Sequence, residues 1–254
     1  MSFPALEIRN ITIRYGEDSP TVLELASCTI EAGERVALLG LNGSGKTTLL
    51  MAVAGIVPFS GEILVGGLSF SEKTLPEIRN RIGFLFNVPE DQLLFPTVID
   101  DVAFGLLRRG VQPDNAMAKA RQVLGFLNMA GSAEASIHAL SHGQKQRVAL
   151  AGALVTEPPL LLLDEPSAAL DPPTKWELAE HLRGLDAGML IATHDLSFAA
   201  AFCTRFLLIE NGSLCSLGPD ASFVEKAWKN TTLHKSQRPP IASSEFISEF
   251  VRSD

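Results

Sequence analysis

Residues Gly40 to Thr47 read GLNGSGKT and satisfy the pattern G-x-x-x-x-G-K-[ST] between a short apolar run and a helical pattern. In such a loop Asn42, Gly43, Ser44 and Gly45 turn backbone N–H groups inward around a phosphate, and the helix start adds its dipole. The Lys46 ammonium would reach β- and γ-phosphates, and the Thr47 hydroxyl, with Thr48 beside it, would face Mg²⁺. A glycine-rich turn without chemistry is the competing reading, and the strand-loop-helix context argues against it. A second centre follows four leucines, where Asp164 and Glu165 emerge at a strand end. One carboxylate there can complete a Mg²⁺ shell, and its neighbour can polarise a water attacking the γ-phosphate. His194 ends a third apolar run, MLIAT, and is expected beside the same phosphate, because open α/β sheets bind ligands beyond the carboxyl ends of their strands.

A fourth stretch, LSHGQKQRVAL, has another logic. Ser141 and Gln144 are spaced as a capping box, and Val148, Ala151 and Val155 fall at helical spacing. On its own this is a helix start. Lys145 and Arg147 read as a solvated helix face.

These residues need a frame. The chain has 254 residues, 46% of them hydrophobic and 20% charged, enough for one large α/β domain or two small ones. A net charge of −8 argues against nucleic acid as a partner. Three scattered cysteines form no C-x-x-C pair and suggest neither a disulfide framework nor a zinc site. No secretory signal is expected from MSFPALEIRN, and no apolar run reaches the ~20 residues of a membrane span. The runs LEIRNITIRY, ERVALLG, GEILVGG, RIGFLF, LLLLD and MLIATHD read as strands, and FLLIENGSL reads as a hairpin about Asn211-Gly212. Helical patterns run from Lys46 to about Val53 and through VIDDVAFGLL and NAMAKARQVLGFL. The expected architecture is α/β: a phosphate-loop NTPase core with a mainly parallel sheet, an antiparallel β subdomain and a helical subdomain inserted at about 91–155. The domain is expected over residues 1–230, with a loosely attached tail at 231–254.

GLNGSGKTT, LSHGQ, LLLLDEP, SAALD and THD, in this order, resemble the nucleotide-binding subunit of an ATP-binding cassette (ABC) protein over about residues 5 to 230. The resemblance implies two cassettes packed head to tail, each ATP lying between the glycine loop of one and the LSHGQ signature of the other. It implies that Ser141, His142, Gly143 and Gln144 serve the partner's ATP, that Tyr15 stacks on adenine and that Glu165 is the catalytic carboxylate. It also implies that Ser167 to Asp171 cross the dimer interface. A strand tyrosine that merely packs is the plainer reading of Tyr15.

Two letters depart from the family pattern. His142 stands where LSGGQ has its first glycine, and Asn87 stands where a glutamine is usual. Asparagine keeps the amide but is one methylene shorter, so Gln92 is a candidate to replace its reach toward Mg²⁺. The run VPEDQLLFPTVIDDVAFG resembles the ATPases of energy-coupling-factor and cobalt/nickel-type importers. That resemblance implies uptake of a metal ion or vitamin through integral membrane subunits docked near Asn87 to Phe95. The chain would then lie in the cytoplasm, peripheral on the inner face of the membrane. A soluble assembly factor and a degenerate ATP-binding regulatory cassette are the alternatives.

Overall fold

The computed structural model describes residues 3–16, 19–168 and 170–219. The expected tail at 231–254 lies outside the described residues. The chain starts with β1 (Leu6–Ile13), β2 (Leu23–Ile30) and β3 (Arg35–Leu39), then α1 (Lys46–Val53) and the strands β4 (Phe59–Val65) and β5 (Leu68–Ser69). Next come α2 (Leu75–Asn80), β6 (Ile82–Leu85), a 3₁₀ turn at Pro89–Asp91, and the helices α3 (Val98–Arg108), α4 (Pro113–Phe126) and α5 (His142–Leu154). The last part holds β7 (Leu160–Asp164), α6 (Pro172–Arg183), β8 (Gly188–Ala192), α7 (Leu196–Phe202), β9 (Arg205–Glu210) and β10 (Ser213–Gly218).

Two sheets result. The smaller is antiparallel, in the order β2-β1-β4-β5, and the larger runs β10-β9-β3-β8-β7-β6. In the larger sheet β9, β3, β8, β7 and β6 are parallel and only β10 is antiparallel, paired through the Asn211-Gly212 turn. The expected α/β architecture is therefore present.

The parity of β7 sets the position of the chemistry. Leu160 and Leu162 pack on the side of α1 and the small sheet, while Leu161 and Leu163 pack on the side of α3, α4, α5, α6 and α7. Strand side chains alternate, so Asp164 continues the α1 side. In β8, Leu190 and Ala192 face α1, and Met189 and Ile191 face the opposite helices. Both strands are buried on both faces, which is why each reads as a continuous apolar run rather than an alternating one.

Helix α5 lies against the edge strand β6 at Gly83. A side chain there would meet the Ala153 carbonyl oxygen, and would come within 2.8 Å of both Pro158 and Leu161. Gly83→Ala is therefore expected to cost about 1–3 kcal/mol by overpacking, seen as a lower urea midpoint at unchanged slope. An unmoved midpoint would show that α5 does not close on β6 this tightly.

Candidate functional site

The glycine loop leaves β3 at Leu39 and enters α1, whose N-terminus has no side-chain cap. Gly43 and Gly45 adopt φ values of 79° and 105°, where a side chain is strained, so the backbone can take the inward turns a phosphate cradle needs. Lys46 is 7% exposed, and its ammonium donates to the Gly40 carbonyl at 2.8 Å and the Leu41 carbonyl at 3.3 Å. Burial holds the Lys46 amine below its ordinary pKa, against the opposing charges of Glu165 and Asp164. The Ser44 hydroxyl oxygen is buried and has no hydrogen-bond partner among the described residues. Tyr15 is 60% exposed beside the helix start, its hydroxyl 2.8 Å from the Thr48 hydroxyl.

Across from α1, the Thr47 hydroxyl donates to Asp164 at 2.6 Å. Burial pushes the Asp164 carboxyl above the usual carboxylate range; the Thr47 bond and Lys46 oppose this, and the Glu165 charge adds to it. Two hard oxygen donors side by side, one of them a desolvated carboxylate, fit a divalent cation, which would relieve the cost of that burial.

Glu165 leaves the strand in the left-handed region, at φ 50°. Its N–H donates to the Ala192 carbonyl at 2.8 Å. Its carboxylate meets the residues that follow β8: the Thr193 hydroxyl donates at 3.1 Å, and His194 Nδ1 lies 2.8 Å away. Asp195, next along, caps α7 through the Phe198 N–H at 3.1 Å and pairs with Lys175 at 2.6 Å. Burial would raise the Asp195 carboxyl, but Lys175, Ser197 and Phe198 outweigh it and bring it down to about 2.

Asn42 to Thr48, Asp164, Glu165 and His194 thus gather at the carboxyl ends of β3, β7 and β8. The signature does not join them. Ser141 accepts the Gln144 N–H at 3.3 Å, and the Gln144 side chain accepts the Ser141 N–H at 2.9 Å, so the capping box is formed. His142 is exposed, and its Nδ1 lies 3.5 Å from Glu90, which also receives Lys145 Nζ at 3.0 Å. Among the described residues no hydrogen bond ties Ser141, His142 or Gly143 to the chain's own glycine loop. Asp171 is an exposed cap of α6, accepting the Thr174 N–H at 3.0 Å.

Two expectations need correction. The Gln92 amide is already used, accepting the Phe86 N–H at 3.1 Å and donating to the Ala149 carbonyl at 2.9 Å, so it does not stand in for Asn87. Asn87 itself is exposed, and among the described residues no hydrogen bond joins it to Thr47 or Asp164. Lys145 is not a solvated helix face but an ion-pair partner of Glu90. Ser167 is fully buried within its own chain. Sequence reasoning missed Glu90, Gln146 and Thr193. Thr193 alone carried a signal, since it adjoins His194 at a strand end.

The ABC transporter family model matches residues 23–168. An ABC transporter ATP-binding protein of Streptomyces coelicolor is 40% identical over 221 residues, covering 87% of this chain and 85% of its own. The energy-coupling factor transporter ATP-binding protein EcfA1 of Levilactobacillus brevis is 37% identical over 214 residues, covering 82% and 76%. Among solved structures, CbiO1 from Clostridium perfringens, part of the ABC transporter complex CbiONQ, superposes with a TM-score of 0.78 at 32% identity, covering 92% of this chain and 96% of that one. The dimeric cassette MJ0796 bound to ADP and Pi superposes with a TM-score of 0.75 at 27% identity, covering 84% and 98%. With a phosphate loop, a paired carboxylate strand end and a capped signature helix on this fold, the chain belongs to the ABC transporter family and is an ATPase of its ATP-binding kind.

Proposed function

We propose that this chain powers an importer of the energy-coupling type, closing head to tail with a second cassette around ATP and moving an integral membrane partner. One observation carries the importer reading. The segment leaving β6 beside the nucleotide site exposes Val88 and Leu94, the latter 73% exposed, and Phe95 stacks on the half-exposed Phe104 of α3 at 5.0 Å. Val88 and Leu94, exposed on the segment between β6 and α3, are the side chains this reading assigns to a protein contact. Among the described residues no helix is long and apolar enough to cross a membrane, and this reading assigns the spanning to a membrane partner. The likeness to EcfA1 and CbiO1 supports the same partner and an uptake role for a metal ion or vitamin.

The chemistry follows from the chain's own groups. Gly43 to Thr48 bind the triphosphate of ATP through backbone N–H groups and the Lys46 ammonium, which exchanges the Gly40 and Leu41 carbonyls for phosphate oxygens. Tyr15 supports the adenine. Thr47 and Asp164 would hold Mg²⁺, which when bound neutralises charge on the β- and γ-phosphates; Asn87, exposed on the loop after β6, is bonded to neither and would have to move to join them. Glu165 accepts the proton of the attacking water, and His194, held on its carboxylate at 2.8 Å, orients it toward the γ-phosphate. Ser141, Gly143 and Gln144 act on the partner's ATP, with the His142 imidazole beside them turned toward Glu90, and Asp171 lies along the same interface. The reading places the chain in the cytoplasm against the inner face of the membrane.

Three outcomes are expected. Glu165→Gln lowers ATP turnover by about 100-fold or more while retaining ATP binding and ATP-dependent dimerisation on a sizing column. Equal turnover in wild type and variant would remove Glu165 from the mechanism. Leu94→Asp abolishes recovery of integral membrane proteins with the chain under mild detergent and leaves the ATPase of the isolated chain unchanged; continued recovery would remove this surface as the docking site. His142→Gly keeps hydrolysis within about tenfold, or ~1.4 kcal/mol, because the imidazole is held out toward Glu90. A larger loss would make His142 a working phosphate contact.

A further inference from the structure

Gln146 lies on α5, about one and a half turns after the signature cap. It is 3% exposed, yet its amide is only half used. Nε2 donates to the Glu165 carbonyl at 3.0 Å, and Oε1 has no hydrogen-bond partner among the described residues. A buried amide with one unmet acceptor costs stability that a methionine or leucine in the same space would not. Packing alone gives no reason for a glutamine here.

Its target supplies one. Glu165 sits at φ 50°, a conformation that costs a non-glycine residue free energy and persists only where its surroundings hold it. Three bonds do so: the Glu165 N–H to Ala192 at 2.8 Å, and the Glu165 carbonyl accepting both the Ala168 N–H at 3.1 Å and Gln146. Two of the three come from within the sheet or the same turn. Only Gln146 comes from α5.

We propose that Gln146 is a positioning residue for hydrolysis, holding the strained backbone of Glu165 and fastening this cassette's carboxylate to the helix whose N-terminus serves the other cassette's ATP. The proposal rests on the reading of Glu165 as the hydrolytic carboxylate and of Ser141 to Gln144 as the signature acting in trans. The same helix then serves both nucleotides of a dimer: through its cap it meets the partner's phosphate, and through Gln146 it sets the angle of Glu165 over its own. Displacing the cap along the helix axis also displaces the donor on which the Glu165 backbone rests.

The test uses the full chain with two variants of matched volume, Gln146→Met and Gln146→Leu, beside Glu165→Gln. Steady-state ATPase separates kcat from KM, and urea unfolding reports the fold. Because each variant removes an unpaired buried acceptor, the urea midpoint should hold or rise. The expected result is a kcat lower by about tenfold with KM for ATP within about twofold. Adding Gln146→Met to Glu165→Gln should lower the residual rate no further, since the group being positioned is already lost. A kcat within about twofold of wild type in a folded variant, with Glu165→Gln inactive, would overturn the proposal and leave the site reading intact. A fall in kcat matched by a rise in KM and a lower midpoint would also overturn it, showing a structural role only. Full turnover in Glu165→Gln would overturn both.

Discussion

The hydrogen bond from Thr47 to Asp164, 2.6 Å long and spanning 117 residues of sequence, is the constraint on which the rest of the site depends. It fixes the start of α1 against the end of β7, and it exists because the parity of β7 turns Asp164 toward α1. Once that is set, β8 lies between β7 and β3 in the sheet, so the residues following β8 fall next to Glu165. Among the described residues, every hydrogen-bond partner of the Glu165 carboxylate comes from that one adjacency. The sheet order thus brings together a phosphate cradle, a cation site and a carboxylate-histidine pair from three strand ends that are far apart in sequence.

Burial shifts the charge balance of these groups. Lys46 is held below its ordinary pKa and Asp164 above it, each by desolvation, so both are charged at a cost and both gain from a ligand of opposite sign. Polyphosphate answers the first and a divalent cation the second. A nucleotide-metal complex supplies them together. Exposed groups behave differently. Asp171 and Glu90 lie near the usual solvent environment, where their bonds set geometry more than energy.

Much of this was legible in the chain. LLLLD and MLIATHD read as buried strands because both faces are covered, and the helix at Lys46 and the hairpin at Asn211-Gly212 carry local signals strong enough to locate them. The capping box at Ser141 was readable because its two bonds join residues three apart. What stayed hidden depends on tertiary neighbours. Gln146 looks like any polar helix residue until α5 is laid against the turn after β7, and Glu90 looks solvated until the 3₁₀ turn brings it over the first turn of α5. Gln92 shows the converse: an amide of the right length near the right motif is a candidate to replace the reach of Asn87, but two closer backbone groups have taken it. Side-chain type limits what a residue can bond; only the packing decides which partner is nearest.

That use of Gln92 has a mechanical side. Its amide closes the segment from Phe86 to Gln92 into a short rigid loop and rivets the loop to α5 at Ala149, while Glu90 adds a second fastening at Lys145. A push on the apolar side chains just beyond that loop is therefore not absorbed by bending the loop itself. In the proposed assembly it would pass instead to α5, a thirteen-residue helix that packs against β6 at Gly83.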